Sequence, residues 1–160
     1  MAKLIITGTG GQGIKFMGNV LAEYLMLKGF NVSAFYDYDA AMRGGGIQGY
    51  LTFSKEKIIN PLIDSADFLV VLDNSKYEFN AKKTIADSSL NIKEGDIKAP
   101  FRETAEKMFS NKTMLNMVAL GYLIKLLGIG MDEKMISGIL PQKFIKENIA
   151  AIKAGFELKI

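Results

Sequence analysis

Apolar and polar positions follow two different periods along the chain, strand-like in the first two-thirds and helical afterwards. Lys3-Leu4-Ile5-Ile6-Thr7 is a short, β-rich apolar run that ends at a glycine cluster, and it predicts a buried parallel strand. From Ile14 the apolar residues fall at Ile14, Met17, Leu21 and Leu25, one face of a helix, with Lys28-Gly29 as its basic last turn and glycine stop. Asn31 to Tyr36 predicts a second strand, closing a right-handed βαβ unit of about 30 residues. Ile47 to Phe53 reads as a third strand, Pro61 as the start of a short helix, and Phe68 to Leu72 as a buried strand. Asp73-Asn74-Ser75 then offers an N-cap for a helix to about Asn80.

Thr84 to Ala99 carries no clear period, and Ser89 to Ile97 is equally compatible with a strand or a loop. From Thr104 the pattern is helical: Thr104 to Phe109, a dense apolar helix from Lys112 to Leu127, a helix capped by Asp132 and running to Leu140, and a last one from Gln142 to Phe156. There is no repeat and no linker. The expected fold is α/β, a Rossmann-like, doubly wound and mostly parallel sheet with a helical C-terminal third packed on it, as a single domain over residues 1–160.

Composition narrows the chemistry. The chain has 160 residues, one ordinary domain, and 49% of them are hydrophobic. Its net charge of +3 is too small to argue for nucleic acid or a membrane surface. It contains no Cys, which removes disulfides, thiolate zinc sites, Cys nucleophiles and cysteine-ligated iron–sulfur clusters from this chain. It contains no His either, so the commonest general base and metal ligand is missing. The balance leans toward a binding or partner subunit, with no catalytic residue and no metal site of its own. The N-terminal residues lack the pattern of a signal peptide and no apolar stretch reads as a membrane span, so the expected location is cytoplasmic.

Two loops carry candidate function. Gly8-Thr9-Gly10-Gly11-Gln12-Gly13 fits G-x-G-x-x-G between a strand and a helix, where glycines let the backbone approach a pyrophosphate held at the helix N-terminus. Lys15 comes one place late for a P-loop and no Ser or Thr follows it, which argues against a nucleoside triphosphatase. Asp37, at the end of the second strand, stands where a ribose-binding carboxylate would in a dinucleotide site. The competing reading is that the glycines only permit a tight turn and close helix packing.

The second loop is Met42-Arg43-Gly44-Gly45-Gly46, in which Arg43 suits bidentate pairing with a phosphate or carboxylate, and equally a salt bridge or a subunit contact. Both loops are expected at the carboxyl ends of neighbouring strands, where ligands of open α/β sheets bind. Asn116 interrupts an apolar helix, an amide that is either satisfied by core backbone or marks an interface or a ligand. Met108, Met114, Met117 and Met131 read as core filler.

Taken in order, these pieces resemble one family. Gly10-Gly11-Gln12-Gly13, Arg43-Gly44-Gly45, Ile59 to Ile63 leading to Ala66 through Asp73, Asn116 through Gly121, and Glu147-Asn148 with Ala151 and Gly155-Phe156 resemble the gamma chain of 2-oxoacid:ferredoxin oxidoreductases. The sequence is also similar to the beta subunit of indolepyruvate:ferredoxin oxidoreductase, which contains the same domain. The resemblance implies decarboxylation of a 2-oxoacid such as pyruvate or ketoisovalerate on thiamine diphosphate with Mg, and electron flow through 4Fe-4S clusters to ferredoxin. It implies transfer of the acyl group to coenzyme A. Those cofactors are implied for partner chains, alpha, beta and where present delta, in an assembly that itself dimerises. For this chain it implies a role on the coenzyme A side of the active site; by their position in the two loops, and not from the resemblance, Gly8, Gly10, Gly11, Gln12, Gly13, Arg43, Gly44 and Gly45 are the residues expected to face that ligand. A stand-alone nucleotide- or coenzyme A-binding module is the other reading. Two departures stand out: a shortened region around Ser88 to Pro100, where a late strand would lie, and Phe35-Tyr36-Asp37-Tyr38-Asp39 ahead of Arg43.

Overall fold

The computed structural model describes residues 1–39, 45–74, 79–91, 95–109 and 114–159. They form two compact units, Met1–Ala99 and Pro100–Ile160. The first holds β1 (Ala2–Thr9), α1 (Ile14–Leu27), β2 (Asn31–Asp39), β3 (Gly46–Ser54), β4 (Ala66–Val71), β5 (Ala81–Asp87) and β6 (Ile97–Ala99). The second holds α2 (Phe101–Phe109), α3 (Leu115–Leu126), α4 (Glu133–Ile139) and α5 (Ile145–Glu157). The α/β class, the mostly parallel sheet and the helical C-terminal third are therefore present.

The six strands lie in the order β2-β3-β1-β4-β5-β6. β1, β4, β5 and β6 are parallel neighbours, whereas β3 is antiparallel to both β1 and β2. The expected βαβ unit is thus split: α1 carries the chain from β1 to β2, but β3 is hydrogen-bonded between them. The cause lies in β2 and β3 themselves. They are joined by a short connection and pair without interruption from Asn31↔Ser54 to Asp39↔Gly46. β3 then buries Leu51 and Phe53 and can serve as an inner strand.

Leu4, Ile5 and Ile6 of β1 are all at most 1% exposed, so both faces of the central strand are covered. On one face α1 buries Met17, Leu21, Tyr24 and Leu25. The Tyr36 ring lies against Gly49 of β3 and Gly18 of α1, so a side chain at either glycine would displace it. The Tyr36 hydroxyl donates to Asn19 Oδ1 at 2.8 Å, and burial, helped by Tyr38, pushes its pKa up to about 12. On β4, Asp67 accepts the Lys3 backbone N–H at 2.8 Å and the Lys82 ammonium at 2.7 Å. Burial raises its pKa, but these two donors more than offset that and hold it below the ordinary value.

Three local expectations change. Pro61 does not open a helix: Asn60 Oδ1 captures the Leu62 N–H at 3.0 Å, while Thr52 and Lys3 take the carbonyls of Pro61 and Leu62. Those groups are then lost to an intrahelical ladder. The helix expected after Asp73 falls mainly on residues 75–78, outside the described residues, and Phe79 and Asn80 are not helical. The unpatterned stretch contains most of β5 and all of β6, so the late strand near Ser88 to Pro100 is retained, at three residues.

In the second unit Leu115 to Ile124 of α3 are all buried, as a helix apolar on every side requires. α3 begins at Leu115, which places Asn116 in the first turn, where its Oδ1 accepts the Met117 N–H at 2.9 Å. The amide thus answers the unpaired N–H groups of a helix start, not a break in mid-helix. Asp132 caps α4 by accepting the Met135 N–H at 3.1 Å. Among the described residues, no helix is long and apolar enough to cross a membrane.

Candidate functional site

The glycine loop leaves β1 at Thr9 and enters α1 at Ile14, at the carboxyl edge of the parallel strands. In the order β2-β3-β1-β4, the chain departs from β1 toward β2 on one side and returns to β4 on the other. The crevice between the ends of β1 and β4 is therefore the topological switch point, where open α/β sheets bind ligands.

A protein side chain spans that crevice. Gln12 Oε1 accepts the Thr9 N–H at 2.8 Å, and Gln12 Nε2 donates to the Leu72 carbonyl at 3.3 Å, just beyond β4. The Leu72 N–H in turn donates to the Thr7 carbonyl at 3.0 Å. Gly8 makes room for this arrangement, since a Cβ there would lie 2.5 Å from Gln12 Oε1 and 2.6 Å from Ile14 Cδ1. Gly13 provides the turn into α1 at φ 72°, a left-handed conformation that suits glycine. Gly8, Gln12 and Gly13 thus form the base of the loop.

The crown is Gly10 and Gly11, both exposed. The Gly10 N–H donates to the Gly45 carbonyl at 2.7 Å, and the Gln12 N–H to the Thr9 carbonyl at 3.2 Å. The two glycine motifs do meet, by a different route from the one expected. They are joined because Gly46, the first residue of antiparallel β3, pairs with Thr9. β2 is not a neighbour of β1. Arg43 and Gly44 lie outside the described residues. Asp37 sits on β2, two strands from β1 and so about 10 Å away. That removes it from the ribose-binding position, which requires a second strand adjacent to the first.

The rest of the sheet edge is acidic. Asp73 and Asp87, at the ends of β4 and β5, are 7% and 0% exposed. Asp87 accepts the Ser89 N–H at 3.1 Å together with the Ser89 hydroxyl. The Thr9, Gly10 and Gln12 N–H groups are already committed to protein acceptors, which leaves less of the loop backbone for an anion. Among the described residues there is no group of three or more metal-ligating side chains. The sequence places Gln12 in a binding motif, but its partner Leu72 is 60 positions away and no local signal announces the bridge.

Residues 3–158 match the pyruvate ferredoxin/flavodoxin oxidoreductase family. The chain is 33% identical over 159 residues to the 2-oxoglutarate synthase subunit KorC of Archaeoglobus fulgidus, covering 96% of this chain and 85% of that one. It is 28% identical to the ketoisovalerate oxidoreductase subunit VorA of Methanothermobacter thermautotrophicus, where it covers 95% of this chain and 35% of the relative. Among solved structures, the gamma subunit of a keto/oxoacid ferredoxin oxidoreductase from Geobacter sulfurreducens shares the fold at a TM-score of 0.76 and 21% identity, covering 98% of this chain and 97% of that one. A 2-oxoglutarate:ferredoxin oxidoreductase from Magnetococcus marinus, solved with 2-oxoglutarate, coenzyme A and succinyl-CoA bound, matches at a TM-score of 0.75 and 24% identity, over 98% of this chain and 30% of its own. A match spanning both compact units, and a near full-length correspondence with a relative a third identical, place this chain in the pyruvate ferredoxin/flavodoxin oxidoreductase family.

Proposed function

We propose that this chain serves as the separate gamma-type subunit of a 2-oxoacid:ferredoxin oxidoreductase whose acid is 2-oxoglutarate. Membership of the family carries the oxidoreductase role, and the KorC relative, which the chain covers over 85% of its length, supports both a separate subunit and this acid. The observation that favours a subunit over a stand-alone nucleotide module is Gln12. Its amide fills the crevice between β1 and β4 that a bound dinucleotide would need.

With no Cys, this chain does not fit a thiolate-ligated cluster, and iron–sulfur clusters belong to partner chains, as do thiamine diphosphate and Mg. Coenzyme A is a better fit at one place. The exposed Gly10–Gly11 crown, tied to Gly45 of the motif that contains Arg43, presents backbone with no neighbouring atom within 4 Å of where a Cβ on Gly11 or Gly45 would be. When bound, coenzyme A supplies the thiol that accepts the acyl group. This chain's part is to hold the phosphate-bearing end at that crown, with Arg43 and Gly44 completing the contact. The setting is cytoplasmic, with alpha, beta and where present delta subunits as partners and ferredoxin as acceptor.

The test is a substrate panel on the assembled complex. Dye reduction with 2-oxoglutarate, and coenzyme A-dependent formation of succinyl-CoA, should exceed the rates with pyruvate and 2-oxoisovalerate. Preference for either of the latter would overturn the 2-oxoglutarate assignment while leaving the subunit assignment standing.

A further inference from the structure

β2 forms one outer edge of the sheet, and that edge lacks most of the features that usually blunt one, although it carries Asp37 and Asp39 near its end and Asp37 Oδ1 accepts the Tyr38 N–H at 2.9 Å. It runs nine residues, Asn31–Asp39, and its pairing with β3 contains no bulge. It has no Pro, Gly or Lys, and Phe35 and Tyr38 stand 41% and 60% exposed. A long, regular edge offers a row of outward N–H and C=O groups to another strand. The opposite edge, β6, is only three residues long.

We infer that a second copy of this chain adds to that edge, β2 against β2, antiparallel about a two-fold axis at Phe35. This goes beyond the proposed function, which requires no contact between two gamma subunits. Centring on Phe35 brings all nine residues into register, and the same patch serves both copies. In that register Asp37 falls opposite Ser33 and Tyr38 opposite Val32, so no like charges meet there.

A groove beside the first half of β2 suits those two side chains. It is lined by Met26, Val32, Ser33, Lys57, Ile58 and Pro61. Ser33 and Asp37 share one face of the strand, so the partner's Asp37 approaches the side of the groove that carries Ser33, a groove that Lys57 also lines. Val32 and Tyr38 share the other face, so the partner's Tyr38 ring comes to Val32 and the half-exposed Met26. Both contacts form twice by symmetry. At the axis Phe35 is already held by its stack on Tyr50, with ring centroids 4.5 Å apart and planes 6° from parallel, so the two Phe35 side chains meet as rigid anchors.

Sedimentation equilibrium of the purified 160-residue chain tests this. A concentration-dependent dimer is expected. Asp37→Lys and Lys57→Asp, both at exposed positions, should each weaken it by about tenfold or more while circular dichroism stays unchanged. An equimolar mixture of the two single variants should recover the dimer, because the mixed pair places opposite charges at both ends. A chain that stays monomeric at every concentration, or a dimer indifferent to both substitutions and to mixing, would overturn the inference. So would protection of residues 31–39 from hydrogen exchange only inside the larger complex, since that assigns the edge to a different subunit.

Discussion

Gly121 of α3 and Gly155 of α5 mark a backbone-to-backbone crossing of the two helices. A Cβ on Gly121 would fall on the carbonyl of Ile152, and one on Gly155 on the carbonyl of Val118. Two opposing effects decide what alanine does there. Helix propensity favours Ala over Gly by about 1 kcal/mol, but forcing a methyl group into packed backbone costs about 3 kcal/mol or more. Gly121→Ala and Gly155→Ala should therefore each destabilise the chain in urea titration. An increase in stability would show that the helices do not approach so closely.

Gln12 supports a second prediction. Gln12→Ala leaves the Thr9 N–H and the Leu72 carbonyl without their partner and should cost about 2 kcal/mol. Gln12→Glu keeps the acceptor for Thr9 but sets a carboxylate oxygen against the Leu72 carbonyl, so it too should destabilise the chain. Equal stability of all three proteins would mean that the amide does not bridge the strands.

The pH profile has two identifiable arms. Tyr36, with its pKa raised from 10.0 to about 12, binds its proton more tightly in the folded chain. Its contribution is fully present below pH 10 and is lost as pH rises through about 12. Tyr122, raised by burial, adds to the same arm. Asp67 works the other way: its carboxyl lies below the ordinary 3.8, so its contribution is present above that value and is lost as pH falls. Tyr36→Phe should flatten the alkaline arm of the stability profile and Asp67→Asn the acid arm, each leaving the other arm unchanged.

Arg43 supplies a prediction about the second glycine motif. Arg43→Ala should raise the KM for coenzyme A of the assembled complex by about tenfold, as expected for one lost charge-assisted contact. The thermal midpoint of this chain should not move, as follows when a side chain serves a ligand and not the fold. Unchanged coenzyme A dependence would remove Arg43 from the site.

Elements with an uninterrupted period were legible in the sequence. β1 and α1 follow from Leu4-Ile5-Ile6 and from Ile14, Met17, Leu21 and Leu25, with glycines at the boundaries. β5 was not legible, because Lys82 and Lys83 break its pattern and only Ile85, Ala86 and Asp87 are buried. The insertion of β3 between β1 and β2 was hidden as well. Strand neighbours are chosen by non-local pairing, and the glycine motif after β1 reads the same whichever strand lies beside it. Pro61 carried a valid helix-start signal that the side chains of Asn60, Thr52 and Lys3 overrode. At the site, the sequence suggests that the two glycine motifs lie at the ends of neighbouring strands, whereas they meet through Gly45 and the start of β3, and the Gln12–Leu72 bridge depends on a residue 60 positions away.

The most direct test of the subunit assignment is anaerobic affinity purification of this tagged chain from its native cells, with assay of thiamine diphosphate, iron and 2-oxoacid-dependent dye reduction in the eluate. Co-purification of larger chains that carry both cofactors and the activity is the predicted result. A chain that elutes alone, without cofactor or activity, would contradict the account.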